Sequence, residues 1–402
     1  MPVLDTGFSF CIKYSIMNKG GIMLPFARMV KYGNIAPAQI GRYKIYSSSS
    51  SLFLLDTQKH NLYSTSNINY TSGTGNVEPK FVLSATNVKR LLLSDNSCAM
   101  QIYEDMNGRA AMCGTRTAYS GVANDNVLVW TDCTTWFTNV GLNVSDIQYM
   151  SGFYNLKLNI VMNNGDLWCS GKNNTTTMSS FGNSTNIDSF NQFTKITTIS
   201  NVIKATGNIY LCADNTLWGC GFNYYYQLGT GNQTSSINLI MMASNVIDCN
   251  VGLQNTYYLT NNKELYGCGT QFGTTYGNEF GTGRQGTAIQ YKTPTIIFTN
   301  ADGLAVCVGN MSTHVIQYDK VFSSGNNALA QLGVGNRDNV YTYTQSFDNF
   351  KMDSSIVRAN VGTLIMTADN KLYYSGRNDV VMGGTSTQYT TVFSEVNMSF
   401  IQ

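Results

Sequence analysis

His60 and His314 are the only two histidines in 402 residues. They fall at unlike positions of different segments, so neither has the partners that general acid–base or metal chemistry would need. Ten cysteines include no Cys-x-x-Cys pair, which argues against a zinc site. No run of aspartates has calcium-loop spacing. Gly281-Thr282-Gly283-Arg284-Gln285-Gly286 fits the letters G-x-G-x-x-G, but it has no strand–turn–helix around it, so it does not read as a nucleotide site. The chain is therefore expected to have no catalytic residues, no metal ligands and no cofactor. What remains is chemistry of recognition. Tyr224, Tyr225 and Tyr226 follow one apolar run, and Phe272, Tyr276 and Phe280 occupy the longer equivalent loop after the next. Such rings offer large contact area with little conformational entropy to lose. The competing reading is that these rings pack between structural units.

The elements that must carry these loops repeat. Leu217-Trp218-Gly219-Cys220-Gly221 returns as Leu265-Tyr266-Gly267-Cys268-Gly269, with weaker copies ending at 66, 114, 171, 325 and 376. Seven copies spaced 48 to 57 residues apart indicate a propeller, solenoid or array. The clearest unit, 202–242, has four short apolar runs: Val202–Ala205, Ile209–Ala213, Leu217–Gly221 and Ile237–Met242. Turn residues separate them, Asp214-Asn215 first and a glycine-rich loop later. The same order recurs in 246–298 and near the C-terminus, where Asp369-Asn370-Lys371 is again the turn. Seven such units predict an all-β, seven-bladed β-propeller with four-stranded blades over residues 39–402. Gly221, Gly269, Gly325 and Gly376 are expected to serve the backbone, through positive φ or a close neighbouring pass. The last unit holds four strands of its own, so closing the ring does not require a strand from the N-terminus.

Once aligned, the units resemble the regulator-of-chromosome-condensation repeat family. The resemblance rests on the aromatic strand ending in glycine, and on Gln227-Leu228-Gly229-Thr230-Gly231 and Gln331-Leu332-Gly333-Val334-Gly335 in the following loop. Partial copies are Phe280-Gly281-Thr282-Gly283, Gly73-Thr74-Gly75 and Phe181-Gly182-Asn183. It covers roughly 40–400 and implies a seven-bladed propeller without transferring one activity. The family's founding member is a nucleotide-exchange factor that docks on chromatin. A net charge of +2 with no basic N-terminal arm argues against a nucleic-acid partner here. Bacterial members that bind β-lactamases imply a protein-binding disc.

Only 12% of residues are charged, about half the usual ~25%. Asn, Thr, Ser and Tyr are expected to fill the surface instead. The cysteines, repeat-equivalent at Cys220 and Cys268, read as buried reduced thiols. No secretion signal and no 18-residue apolar stretch is evident, so membrane insertion is not expected. Residues 1–38 form an N-terminal extension in which Phe8, Phe10, Ile12 and Tyr14 alternate with polar residues; Met23, Leu24 and Phe26 add an apolar run. This extension would either pack on the propeller or dock it onto a larger assembly. The function first expected is a non-enzymatic, adhesive bacteriophage virion component (tail, fibre or capsid decoration). It would contact other virion proteins through the extension, and a host-surface glycan or protein through the disc. The alternative is a cytoplasmic propeller scaffold that binds a single protein partner.

Overall fold

The four apolar runs of each repeat become four strands in the computed structural model. It describes residues 42–401 apart from 95–97, 178, 253, 272–276, 287, 308–310 and 352. The docking positions Phe8, Phe10, Ile12, Tyr14, Met23, Leu24 and Phe26 lie outside the described residues, as do Phe272 and Tyr276. Seven blades span 43–85, 88–132, 147–196, 202–243, 246–298, 303–347 and 355–395. Each is an antiparallel meander. In blade 4 the strands are Val202–Thr206, Ile209–Cys212, Leu217–Gly221 and Ser236–Ala243. The seven aromatic-glycine copies are the seven third strands.

Burial follows strand order. The first and second strands of blade 4 are buried throughout, whereas its fourth strand is half-exposed along its length. The first strands therefore meet around the centre, Val202–Thr206 touching Ile147–Phe153 on one side and Val246–Val251 on the other. The last of them, Ser355–Ala359, returns to the first, Tyr43–Ser47, which closes the ring. The core lies between blades: one cluster joins Cys169, Phe181, Leu217, Cys220, Cys249 and Tyr258. A single blade cannot cover both its faces, so neighbours supply the burial. All eight described free cysteines are buried, and burial pushes the thiols of Cys169 and Cys212 up to about 11.

A second contact ties each blade to the next. A glycine in the third-to-fourth loop sits at positive φ with its Cα against the following blade's outer strand. Gly73 faces Trp130, Gly281 faces Tyr343 and Gly333 faces Phe393, each so closely that a Cβ would overlap the ring. At Gly121, Gly182 and Gly229 a Cβ would lie 2.9 Å from Phe190, 2.6 Å from Leu239 and 2.9 Å from Pro294. The following residue often adds a β-bridge to that outer strand, as at Thr74–Val129, Asn183–Asn238, Thr282–Thr342 and Val334–Val392. Across the seam the docking position of blade 7 is Val381 rather than glycine; the tie there is the backbone bond, Gly383 N donating to Pro79 O at 3.0 Å as Gly231 N donates to Lys292 O and Gly335 N to Thr391 O. The glycine of the Gln-Leu-Gly motif is thus a docking point between blades.

Closure uses no exchanged strand. The four strands of blade 1 come from 43–85 and those of blade 7 from 355–395. The C-terminal residues latch the seam instead: Phe400 stacks on Phe81 at 5.2 Å and meets the edge of Tyr63 at 5.6 Å. Arg42 N donates to Asn370 Oδ1 at 3.2 Å across the same seam. Blade 2 departs from the pattern by two helical turns, Thr117–Ser120 and Thr135–Thr138, which the strand-only reading did not contain. They pack Tyr119 flat on Trp136 at 3.9 Å.

Two stability outcomes follow. Gly333→Ala should destabilise by roughly 2–4 kcal/mol, from left-handed backbone strain plus overlap with Phe393. Gly335→Ala has the same backbone sign but 4.0 Å of room to Val392, and should lose only about 1–2 kcal/mol. Equal losses in urea unfolding would refute the docking role. Phe400→Ala should lower stability by roughly 2–3 kcal/mol in the same assay, and a neutral result would remove the latch.

Candidate binding face

In an antiparallel meander the first-to-second and third-to-fourth connections leave the same end of the sheet. In a closed ring of like blades this gives one face of long loops and one face of short turns. The turn face carries the expected Asp214-Asn215, Asn261–Lys263 and Asp369–Lys371 turns, with Asn215, Lys263 and Asn370 at positive φ. The loop face carries Tyr224–Tyr226 and the segment ending at Phe280.

A buried asparagine, two residues past the closing glycine in three of four cases, holds each of these loops. Asn223 Oδ1 accepts from Leu228 N at 2.8 Å, and its Nδ2 donates to Thr230 Oγ1 at 3.0 Å and Asn232 O at 2.9 Å. Asn173 makes the same acceptor bond to Phe181 N, Asn278 to Phe280 N and Asn327 to Leu332 N. All four are fully buried. The amide supplies backbone partners that a buried irregular loop otherwise lacks. The spacing Gly171-x-Asn173, Gly221-x-Asn223 and Gly325-x-Asn327 is visible in the sequence, but only the closing glycine was read from it.

The expected binding rings divide. Tyr224 is 59% exposed and Tyr225 half-buried, and both belong to an aromatic cluster with Phe222, which the sequence reading missed. Tyr226 is buried at φ 65, with Lys292 of the next blade over its ring at 5.5 Å. Phe280 corrects the expectation: it is fully buried, edge-on to Tyr257 at 5.1 Å and Tyr291 at 4.9 Å. It occupies the leucine position of Gln-Leu-Gly, which points inward to fill the blade. Spacing from the preceding strand did not reveal this because the loop before it is longer. Gly281 and Gly283 of the G-x-G-x-x-G letters serve the same docking, with Gly283 N donating to Tyr341 O at 2.7 Å.

Ionisable groups are enclosed in the seams rather than gathered in a cleft. Lys157, fully buried, donates from Nζ to Ser180 O at 2.7 Å, Tyr210 Oη at 2.5 Å and Gly207 O at 3.2 Å, and burial lowers its pKa. Lys204 pairs with Asp248 at 2.6 Å between blades 4 and 5. Between blades 6 and 7, Arg358 Nη1 donates to His314 Nε2 at 3.1 Å, and His314 Nδ1 meets Ser323 Oγ at 2.6 Å. Burial, then the Arg358 charge, hold the imidazole well below its usual range, so it stays neutral. Glu279 lies between blades 5 and 6, where its Oε1 accepts from Asn255 Nδ2 at 2.8 Å. Burial raises its pKa to about 7 against an opposing hydrogen bond from Tyr257. Glu279 stands where blades 4 and 6 have Gln227 and Gln331. Among the described residues, no three His, Cys, Asp or Glu come together as a metal would require, and no helix is long and apolar enough to cross a membrane. Surface clefts of 410 and 220 Å³ lie at Asn370–Leu372 with Glu395–Met398, and beside Tyr103, Arg109 and Trp130.

No family model matches the chain, and no curated protein sequence matches it. Solved structures match by fold. Prp20p from Saccharomyces cerevisiae, described with its binding to Gsp1p and histones, is 15% identical; the match covers 80% of this chain and 81% of that one, with a TM-score of 0.60. Yeast RCC1 (Prp20) bound to Kap60 is 12% identical over 97% and 92% of the two chains, with a TM-score of 0.65. Human WBSCR16 is 12% identical over 80% and 86%, with a TM-score of 0.59. At such identities the likeness is one of fold: the chain is an all-β propeller similar in fold to these structures.

The buried carboxyl sets a pH dependence. The folded state keeps a proton on Glu279 that the unfolded chain, near its ordinary 4.5, releases. This stabilisation is complete below about pH 4.5 and is lost as pH rises through about 7. Glu279→Gln restores the residue of blades 4 and 6 and should match the parent chain at pH 4.5. At pH 8 it should exceed the parent by up to roughly 3 kcal/mol. Urea midpoints at the two pH values measure this, and an equal gap at both would contradict it.

Proposed function

We propose that this chain is a non-catalytic propeller that binds a protein partner through its loop face. The carrying observation is the build of that face. Its long loops are fixed from beneath by Asn173, Asn223, Asn278 and Asn327, and from the side by docking on the next blade. Loops held on a rigid scaffold are where binding residues concentrate, and a pre-set loop loses little entropy when it binds. The titratable groups with raised or lowered pKa in the seams are enclosed by their own partners, which suits structure rather than turnover. Structural likeness to Prp20p, described as binding Gsp1p and histones, supports a protein partner as the class.

A second reading keeps the composition in view. A chain with 12% charged residues and net charge +2 suits a virion surface component attached through residues 1–38. Copurification with assembled particles would favour that reading over a free scaffold.

Affinity capture followed by mass spectrometry tests the face. Tyr224→Ser combined with Arg337→Ala, both on exposed loop-face residues, should reduce recovery of the main partner by about tenfold or more. Tyr318→Ser, 72% exposed on the turn face, should leave it unchanged. The opposite pattern would place binding on the turn face and overturn the proposal.

A further inference from the structure

We propose that the aromatic corner of blade 4, formed by Phe222, Tyr224 and Tyr225, is a binding site for an uncharged glycan. This rests on the loop face being the binding face and adds a ligand class to it.

The corner is a shaped surface. Phe222 and Tyr224 lie 6.1 Å apart and near parallel at 29°. Tyr225 stands across both, 5.9 Å and 65° from Phe222 and 5.3 Å and 86° from Tyr224. The result is a compact cluster in which Tyr225 meets both rings edge-on and Tyr224, 59% exposed, offers its ring to solvent. A pyranose ring presents an apolar C–H face and a hydroxyl rim, so it can lay the first on the exposed Tyr224 ring and offer the second to polar neighbours. Exposed Asn232, Gln233 and Thr234 on the same loop supply amide and hydroxyl groups at that rim.

The corner is also fixed before any ligand arrives. Tyr225 N donates to Gln227 Oε1 at 3.0 Å. Gln233 Nε2 donates to Tyr224 O at 2.6 Å, and Thr270 Oγ1 of blade 5 donates to Tyr225 O at 3.1 Å. Weak, stacked ligands need this, because little binding energy is left over to order a mobile loop.

Charge selects the ligand class. Between Lys204 and Asp248 the only charged residue is Asp214. That residue belongs to the turn face, where its Oδ1 accepts from Thr216 N at 3.0 Å. Lys292 is already placed over the buried Tyr226 ring. Nucleic acid and acidic glycans would call for cations here. The loop from Phe222 to Ser235 has no charged residue at all, so a neutral sugar fits the surface best.

The test is a glycan array probed with the full chain, with hits confirmed by calorimetry against the purified neutral oligosaccharide. At least one uncharged glycan should bind, with affinity steady from about 0.05 to about 0.5 M NaCl. Tyr224→Ala and Tyr225→Ala should each weaken it by roughly tenfold or more. Tyr318→Ala should not change it. Unchanged circular dichroism and melting of the Tyr224→Ala protein separate lost contact from lost fold. Binding confined to sialylated or sulfated glycans, neutral binding that survives both substitutions, or silence across the array would each overturn the proposal. Silence together with a protein partner lost in Tyr224→Ser, Arg337→Ala would overturn it while leaving the loop-face reading intact.

Discussion

The ring depends on one directional contact, the third-to-fourth loop of each blade set against the outer strand of the next, through a close-packed glycine in blades 1 to 6. Apolar faces alone would let blades slide, because hydrophobic burial has no preferred direction. A glycine at positive φ lying on Phe393 or Tyr343 does have one. The β-bridge beside it, such as Val334–Val392, fixes register along the strand. The same contact places the loop, so the surface available for recognition and the bond that builds the ring are one piece of chain.

Closure follows from that contact rather than from a shared strand. Many ring-like sheets would need their ends stitched, since a seam between termini is the place where a closed array can open. Here Gly383 reaches Pro79 as though blade 1 were simply the next blade. The first strands meet at Tyr43–Ser47 and Ser355–Ala359, and Phe400 packs on Phe81 and against the edge of Tyr63 in blade 1. The chain ends add side-chain packing to a seam that keeps the loop-to-strand backbone bond but has Val381 where the other loops have their docking glycine.

Much of this was legible in the residues, and the part that was not has physical reasons. The third strands announced themselves because Leu217-Trp218-Gly219-Cys220-Gly221 and its copies combine inward and outward side chains in a fixed order. Gly121 did not, because the loop that carries it begins with a helical turn, and no Gln-Leu-Gly surrounds it. Phe280 looked like a loop-tip ring for the opposite reason. The inserted residues before it shift its spacing from the strand, while its place after Asn278 makes it the inward leucine of the motif. Phe222 escaped notice because one aromatic next to a strand end carries no period. Whether a ring points into a blade or away from it is decided by loop hydrogen bonds that only three dimensions bring together.

The seams are alike in shape and unlike in chemistry. Lys157 anchors blade 3 to blade 4, Lys204 and Asp248 join 4 to 5, Glu279 lies between 5 and 6, and Arg358 with His314 between 6 and 7. Buried charges of this kind are weak sources of stability, because removing them from water offsets most of what they gain. They are strong sources of penalty when misplaced. A blade set beside the wrong neighbour would leave a lysine or arginine buried without its acceptor, at about 3–5 kcal/mol. That exceeds what a similar apolar face could return by packing in the wrong order. Repeated blades that share one docking rule can thus be kept in sequence by seams that each accept a single partner.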